Sequence, residues 1–400
     1  MLIGVLLPAF VRVQLGAITS GDLGLGASLA NTVAGCVLAM VLGYVTWRQL
    51  KAHPGAGSGG YVLYAFGMSY GVLALTLMFF RADYSRYQII SSLLLTTGWF
   101  LFVDQLTRRH TPLRLAFLPS VSPWSLPSGG KANWHRLTTP LLDAKTVNGV
   151  VADLRAELTP DWERFLAHCA LQGMPVYDVR QIHEILTGKV KLEHLSENTL
   201  SSTLARLVYV RVKRLGDLAG VALAAPFVLP ILAIASIAIK LESRGPALFT
   251  QTRMGHRGQT FTIYKLRSMR IDAPEGAHFT QDNDGRITRV GAFIRKYRID
   301  ELPQILNILK GEMSWIGPRP EAVALADWYE REVPFYCYRH MVRPGITGWA
   351  QVNQGNVAQI NAATEKLHYD FYYIKNVSPW LDLLIGAKTV QTVLTGFGSR

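Results

Sequence analysis

The sequence predicts a membrane protein of α plus α/β class. Its expected parts are N-terminal transmembrane helices, a small α/β middle section, and a C-terminal α/β domain carrying a re-entrant membrane helix-hairpin. Three observations lead there. Apolar runs crowd residues 2–103, short strands alternate with amphipathic helices over 149–186, and a second long apolar stretch, broken by two prolines, opens the last half. A chain of 400 residues exceeds one ordinary core. Boundaries are placed at 1–106, 107–205 and 206–400.

The apolar runs cover residues 2–15, 29–47, 61–80 and 89–103, each closed by a polar or glycine-rich break. A helix needs about 20 apolar residues to span a bilayer. Arg12 and Pro8 interrupt the first run. A signal peptide is the competing reading there, but the segment has neither a basic start nor a convincing cleavage site. Arg48 and Lys51 follow the second run, and Arg108, Arg109 and Arg114 follow the fourth. The positive-inside rule puts both ends in the cytoplasm. Arg81 and Arg86 on the opposite loop argue the other way and are partly offset by Asp83. Four spans with both termini inside are expected. The runs offer almost no mid-membrane polar groups, which disfavours a transporter.

The net charge of +13 and pI near 9.7 point to anionic partners. Mean hydropathy of +0.18 and 49% hydrophobic residues favour a membrane and its phosphorylated ligands over nucleic acid. No basic tail or aromatic stacking platform stands out either. Cys36, Cys169 and Cys337 form no CxxC or His/Cys ligand pattern.

In the middle section, 149–154 reads as a buried strand, 161–171 as an amphipathic helix, 175–177 as a strand and 179–186 as a helix. A loop rich in Pro, Ser and Gly, 119–130, precedes them. No GxGxxG follows a strand, and Gly24 and Gly26 lead into a membrane helix, so nucleotide binding is not supported here. A structural or regulatory role is expected.

Residues 218–239 are long enough to cross a bilayer, yet Pro226 and Pro230 fall inside the stretch. Lys213 and Arg214 precede it, and Lys240 and Arg244 follow. Basic flanks at both ends favour a hairpin over 215–241 that enters and leaves on the cytoplasmic face, its break at the two prolines. A kinked ordinary span is the alternative.

The chemistry gathers after this stretch. In Phe261 to Met269 apolar and polar residues alternate, so a strand would project Lys265 and Arg267 onto one face, where they suit a diphosphate or a solvated surface. The basic segment Arg295-Lys296-Tyr297-Arg298 delivers the chain to Asp300-Glu301. An Asp flanked by cations stays ionised and serves as a nucleophile, and a second carboxylate beside it can hold a divalent metal. The competing reading has Asp300 capping a helix with Pro303 in its first turn. Gly317-Pro318-Arg319-Pro320 is a rigid turn that fixes the direction of Arg319. Arg343 opens the segment Arg343-Pro344-Gly345-Ile346-Thr347-Gly348. Lys265, Arg267, Arg298, Arg319 and Arg343 are the candidate phosphate ligands. Asp282-Asn283-Asp284 imitates a DxD metal site but follows no strand, and is read as an ordinary turn.

Taken in order, these motifs closely resemble the bacterial sugar transferases, the monotopic polyprenyl-phosphate phosphoglycosyltransferases, from Lys213 to Leu394. The membrane unit and middle section look like those of the larger family members. The resemblance implies that Asp300 attacks the β-phosphate of a UDP-sugar, expelling UMP, and that polyprenyl (undecaprenyl) phosphate then takes the phosphosugar. It also implies Glu301 as the Mg²⁺ ligand, membrane lipid as surroundings, and the inner membrane of a bacterium with this catalytic domain on its cytoplasmic face. Exopolysaccharide, capsule or O-antigen assembly would begin with such a step. No nucleic-acid partner is expected, and a homo-oligomer is left open. The alternative is a non-enzymatic scaffold of a polysaccharide-assembly complex. Two positions depart from the family pattern: Ala225-Pro226 stands for the usual Ser-Pro, and Gln354-Gly355 for Gly-Arg.

Overall fold

The computed structural model describes residues 2–20, 27–51, 60–110, 113–122, 126–127, 132–141, 147–191, 204–270, 285–354 and 360–395. Gly24, Gly26, Gly355, Asp282-Asn283-Asp284 and parts of the 119–130 loop lie outside them. The chain divides into two compact units, Met1–Gly188 and Lys189–Arg400.

In the first unit a π-helical turn, Leu2–Leu6, leads into α1 (Leu7–Ser20), followed by α2 (Ala27–Lys51), α3 (Gly60–Phe79) and α4 (Arg86–His110). Among the described residues four helices are long and apolar enough to cross a membrane: Ser28–Lys51, Gly60–Phe79, Arg86–Thr107 and, in the second unit, Tyr209–Glu242. The first apolar run supplies only the shorter helix Gly4–Gln14. Three N-terminal candidates therefore stand where four were expected. Arg12 is one reason, since its guanidinium turns to Gln88 Oε1 (2.9 Å) and Ser28 Oγ (3.1 Å).

The bundle core is built from Val5, Cys36, Val62, Phe66, Tyr70 and Ile89. Gly35 and Gly43 let α2 approach α3, because a Cβ there would lie 2.5 Å from Leu73 or Phe66. A polar track also runs through this core. Tyr70 OH pairs with Ser92 Oγ at 2.8 Å and Thr96 Oγ1 at 3.3 Å, and Gln88 is fully buried. Gln88, Ser92 and Thr96 recur every fourth residue, so they share one helix face. Hydroxyls barely lower hydropathy, which is why the runs looked empty of polar groups in sequence.

The rest of this unit is a four-stranded parallel sheet of β1 (Leu113–Phe117), β2 (Ala132–Arg136), β3 (Gly149–Ala152) and β4 (Val176–Asp178), in the order β2-β1-β3-β4. Helices α5 (Pro160–Leu171) and α6 (Val179–Thr187) accompany it. Asp178 accepts the Arg180 N–H at 2.9 Å and caps α6, which Gly188 ends at φ 70°. Of these elements β3, α5, β4 and α6 were legible. β2 was not, since its Ala-Asn-Trp-His-Arg lies at the sheet edge and is largely exposed.

The second unit begins with α7 (Leu204–Glu242), which stays helical through Pro226 and Pro230. Two helical arms with a break between them were expected; one helical element carries both prolines. Asp217, Val221, Val228, Ala235 and Ile239 are its buried positions, spaced by fours and sevens on one face. Both prolines are exposed, roughly opposite that stripe. A proline ring clashes with the carbonyl four residues earlier and opens its own side of the helix. The bend it favours is therefore towards the buried stripe.

The stretch of α7 from Lys213 to Glu242 is fixed at both ends to the same folded body. At one end Arg214 donates to the carbonyls of Ile308 (2.5 Å) and Leu309 (3.0 Å), and Lys213 to Asp382 Oδ2 (2.5 Å). At the other end Glu242 accepts the N–H groups of Arg289 (2.7 Å) and Val290 (3.0 Å). Leu223, Phe227, Ile234 and Ile237 point outward from the helix.

That body holds the antiparallel pair β5 (Leu248–Met254) and β6 (Thr260–Leu266), then α8 (Arg289–Lys296), a 3₁₀ helix Ile299–Gln304 and α9 (Ile305–Lys310). β7 (Ser314–Ile316) pairs in parallel with β8 (Gly345–Thr347), and α10 (Val323–Glu332), α11 (Trp349–Asn353), α12 (Ile360–Lys375) and α13 (Pro379–Thr395) complete it. Buried Asn307 joins β6 to α9, accepting the Tyr264 N–H (3.2 Å) and donating to Thr262 O (2.7 Å). Asp382 ties α13 to α7 by accepting from Lys213, Tyr209 (2.5 Å) and Tyr373 (2.8 Å).

Replacing Asp382 by Ala strands a mostly buried ammonium. The expected loss is about 3 kcal/mol, the lower end of the range for breaking a buried ion pair, read as a lowered denaturant midpoint of the detergent-solubilised protein. An unchanged midpoint would remove this contact as the anchor of α7.

Candidate active site

Asp300 and Glu301 sit on the 3₁₀ turn between α8 and α9. Thr288 starts α8 by accepting the Gly291 N–H at 2.9 Å. Gly291 is required there, since a Cβ would meet Ser268 O at 2.0 Å. After α8 the chain reverses through Arg298, whose φ is 54°, and the Glu301 N–H returns to Arg298 O at 3.2 Å. Asp300 caps no helix, as this turn passes directly into α9.

The two carboxylates have unlike surroundings. Glu301 is buried, and its Oε1 accepts from Arg319 Nη2 at 2.7 Å and lies 3.5 Å from Lys265 Nζ. Its Oε2 is 3.6 Å from Arg298 Nη1. Burial alone would raise its pKa. Arg319, then Lys265 and Arg298, outweigh burial and hold the carboxyl far below the usual range. Asp300 is half-buried and accepts no hydrogen bond among the described residues. Burial and then the Glu301 charge push it up to about 6, against the pull of Lys265, Arg319 and Arg295. At neutral pH it is mostly ionised and unencumbered.

Arg319 is aimed by its backbone. The turn holding it is fastened on several sides: Gly317 N–H to Thr347 O (2.9 Å), Gly345 N–H to Pro318 O (3.0 Å), Arg339 Nη2 to Arg319 O (2.9 Å) and Met254 N–H to Glu321 O (2.9 Å). Arg253 Nη1 adds a bond to Pro320 O at 3.3 Å. Gly317 has no room for a side chain, because a Cβ would approach Arg343 O to 2.3 Å.

Of the residues singled out in sequence, Asp300, Glu301, Lys265, Arg298 and Arg319 converge. Arg267 and Arg343 do not join them. β6 ends at Leu266, so the alternation that placed Lys265 and Arg267 on one face stops one residue short. Arg267 instead caps α7, donating to Arg244 O (2.7 Å), Ser243 O (2.8 Å) and Ser243 Oγ (2.8 Å). Arg343 donates through Nε to Gly311 O at 3.0 Å. Behind Arg319 lies a buried group that local spacing did not reveal. Arg339 reaches Asp370 Oδ2 (3.0 Å) and lies 3.7 Å from Glu321 Oε1, which also pairs with Lys366. These side chains come together through the tertiary fold.

No group of three or more His, Cys, Asp or Glu side chains able to hold a metal occurs among the described residues. The acidic pair is the donor set available, and Glu301 Oε2 is its less engaged oxygen. One or two carboxylates suit Mg²⁺, which commonly fills its octahedron with water and substrate phosphate. The residues fit a Mg²⁺ shared with a diphosphate.

A carboxylate pair ringed by guanidinium and ammonium groups, on a domain docked to an apolar helix, suits the binding of anionic groups beside a membrane. The bacterial sugar transferase profile matches residues 208–396. A UDP-N-acetylgalactosamine-undecaprenyl-phosphate N-acetylgalactosaminephosphotransferase of Aeromonas hydrophila is 46% identical over 373 residues, 92% of this chain and 88% of the relative. A UDP-glucose:undecaprenyl-phosphate glucose-1-phosphate transferase of Caulobacter vibrioides (strain ATCC 19089 / CIP 103742 / CB 15) is 46% identical over 187 residues, 46% of this chain and 70% of the relative. One of the same description from Escherichia coli (strain K12) is 39% identical over 192 residues, 47% of this chain and 41% of the relative. The chain belongs to the bacterial sugar transferase family and is a sugar transferase.

Glu321 supplies a pH test of the layer behind Arg319. Burial raises its pKa, but Lys366 and Arg339 bring it down to about 2 from an ordinary 4.5. Its folded-state pKa is depressed, so its stabilisation is complete above pH 4.5 and is lost as pH falls towards 2. The full effect is up to about 3 kcal/mol. In Glu321→Gln the melting temperature should fall less steeply over that acid range than in wild type. Parallel curves would discard the contribution.

Proposed function

We propose that the chain transfers a sugar-1-phosphate from a UDP-sugar to polyprenyl (undecaprenyl) phosphate through an aspartyl phosphosugar intermediate. The observation that carries this reading is the unequal acidic pair: Glu301 neutralised by three cations, Asp300 beside it with its oxygens unbonded. A carboxylate left free next to a cationic cluster is placed to attack phosphorus.

In the first step an Asp300 oxygen forms a bond to the β-phosphorus. The bond from that phosphorus to the oxygen bridging to the α-phosphate breaks, and UMP departs with the electron pair. In the second step an oxygen of the lipid phosphate attacks the same phosphorus, freeing Asp300 and leaving a polyprenyl-diphosphate-sugar. Arg319, Lys265 and Arg298 offset charge on the transferred phosphoryl group, and the fastened turn keeps Arg319 from reorganising during the reaction. Bound Mg²⁺, with Glu301 as its ligand, supplies further charge neutralisation on the diphosphate.

The transfer falls to residues 206–400, on the cytoplasmic face of a bacterial inner membrane, and begins an exopolysaccharide, capsule or O-antigen repeat unit. The docking of both α7 ends on one body supports this sidedness. A helix tied at both ends to one soluble domain returns to the side it left, with Pro226 and Pro230 at its bend. The basic flanks favour the cytoplasm for that side. A scaffold without activity has no use for a buried, fully charged Glu301 beside an unbonded Asp300.

The test is UMP release by membranes containing the protein, with Mg²⁺, polyprenyl phosphate and a UDP-sugar panel that includes UDP-N-acetylgalactosamine. One donor should release UMP well above the others. Asp300→Asn should lower the rate at least about a thousand-fold, and Glu301→Gln should abolish it or nearly so. Full activity of Asp300→Asn would dismiss the covalent intermediate. Silence across the whole panel would favour the scaffold.

A further inference from the structure

A cleft enclosing about 420 Å³, open solvent at its mouth included, lies between α7, β7 and the segment Met341 to Arg343. Neither Asp300 nor Glu301 lines it. Its polar lining includes Lys213, Asp217, His256 and Arg343, and its walls are largely apolar, among them Ile316 and Val377. Lys213, Arg214 and Asp217 are the last charged residues of α7 before the apolar stretch that starts at Leu218. At 1.5 Å per residue, Asp217 lies within a turn of the start of that stretch and Lys213 about 7.5 Å from it. With the apolar stretch embedded in lipid, that is headgroup depth.

The cleft holds a guanidinium with unspent donors. Arg343 uses only Nε, on Gly311 O, and its two terminal amines have no hydrogen-bond partner among the described residues. His256 lies near that guanidinium: burial first, then Arg343 and Arg257, push its pKa down. The one acid in the lining, Asp217, is committed elsewhere, accepting from Ser314 Oγ (2.9 Å) and the Trp315 N–H (3.3 Å). Lys213 is paired with Asp382. A half-buried guanidinium with two free amines suits two oxygens of one phosphate, and apolar walls suit the chain attached to it.

We propose that this cleft binds the phosphate of an anionic membrane phospholipid, with Arg343 as its main ligand, at a place separate from the transfer site. The inference rests on the reading of this domain as membrane-embedded, but it does not depend on Asp300 as nucleophile. Arg343, a candidate substrate ligand in the sequence, becomes a ligand for surrounding lipid.

Native mass spectrometry of the full chain, released from detergent micelles, tests this with four probes: phosphatidylglycerol, diacylglycerol of the same chains, inorganic phosphate and polyprenyl phosphate. Wild type should retain phosphatidylglycerol about tenfold better than diacylglycerol, the worth of a charged hydrogen bond. Arg343→Gln should lose that preference. So should Val377→Glu, which brings a carboxylate to the lining and keeps the test valid if the first variant fails to fold; melting temperatures check both. Asp300→Asn should retain the lipid whether or not it is active, so this outcome and the UMP assay fail independently. Equal retention of diacylglycerol, or no change in a folded variant, overturns the proposal. Displacement by millimolar inorganic phosphate would make the cleft a free-phosphate site. One-for-one displacement by polyprenyl phosphate would make it the acceptor's own seat. Either result overturns it as well.

Discussion

Glu301 is a buried carboxylate kept charged by its neighbours, and the geometry of the last half of the chain follows from that requirement. An isolated ion in such a place would take up a proton. Arg319, Lys265 and Arg298 prevent this, and each comes from a different part of the chain: a turn, a strand and a left-handed residue. Removing one cation weakens the hold on the charged form of Glu301; removing Glu301 leaves three cations facing one another. The cluster therefore rests on the correct docking of β6, the 3₁₀ turn and the 317–321 turn.

The second layer explains how that docking is kept. Arg253 and Arg339 approach the 317–321 turn from opposite ends of the sequence and bind its carbonyls, while Glu321 and Asp370 balance Arg339. Asn307 performs the same service for β6, acting as a surrogate strand edge. These interactions join buried polar groups to internal partners, with Arg253 Nε and Arg339 Nε left over. Such networks fix one geometry, because a slipped arrangement leaves donors and acceptors unmatched.

Much of this was legible in the chain, for identifiable reasons. Asp300, Glu301 and Arg319 sit in short proline- and glycine-marked segments whose local conformation follows from residue type. The strand and helix pattern of β3 to α6 was readable from apolar spacing. Arg267 was misplaced because alternation gives a face only while the strand lasts, and β6 stops at Leu266. β2 escaped because an exposed edge strand has no apolar rhythm to read. The polar track of Gln88, Ser92 and Thr96 escaped for the opposite reason, as a helical rhythm hidden inside a hydrophobic average. Arg339 and Asp370 are far apart in sequence and meet only through the tertiary fold.

The two anchorages of α7 carry one further consequence. Helices that cross a bilayer must match its full thickness, and they tilt or strain when the lipid is too thick or too thin. If α7 enters and leaves on one side as proposed, pinning to one domain sets its immersion depth by its own length between the pins. The height of Asp300 above the acyl region would then be a property of the polypeptide. Long-chain and short-chain lipids would present the same distance to that residue, while α2, α3 and α4 would register the difference.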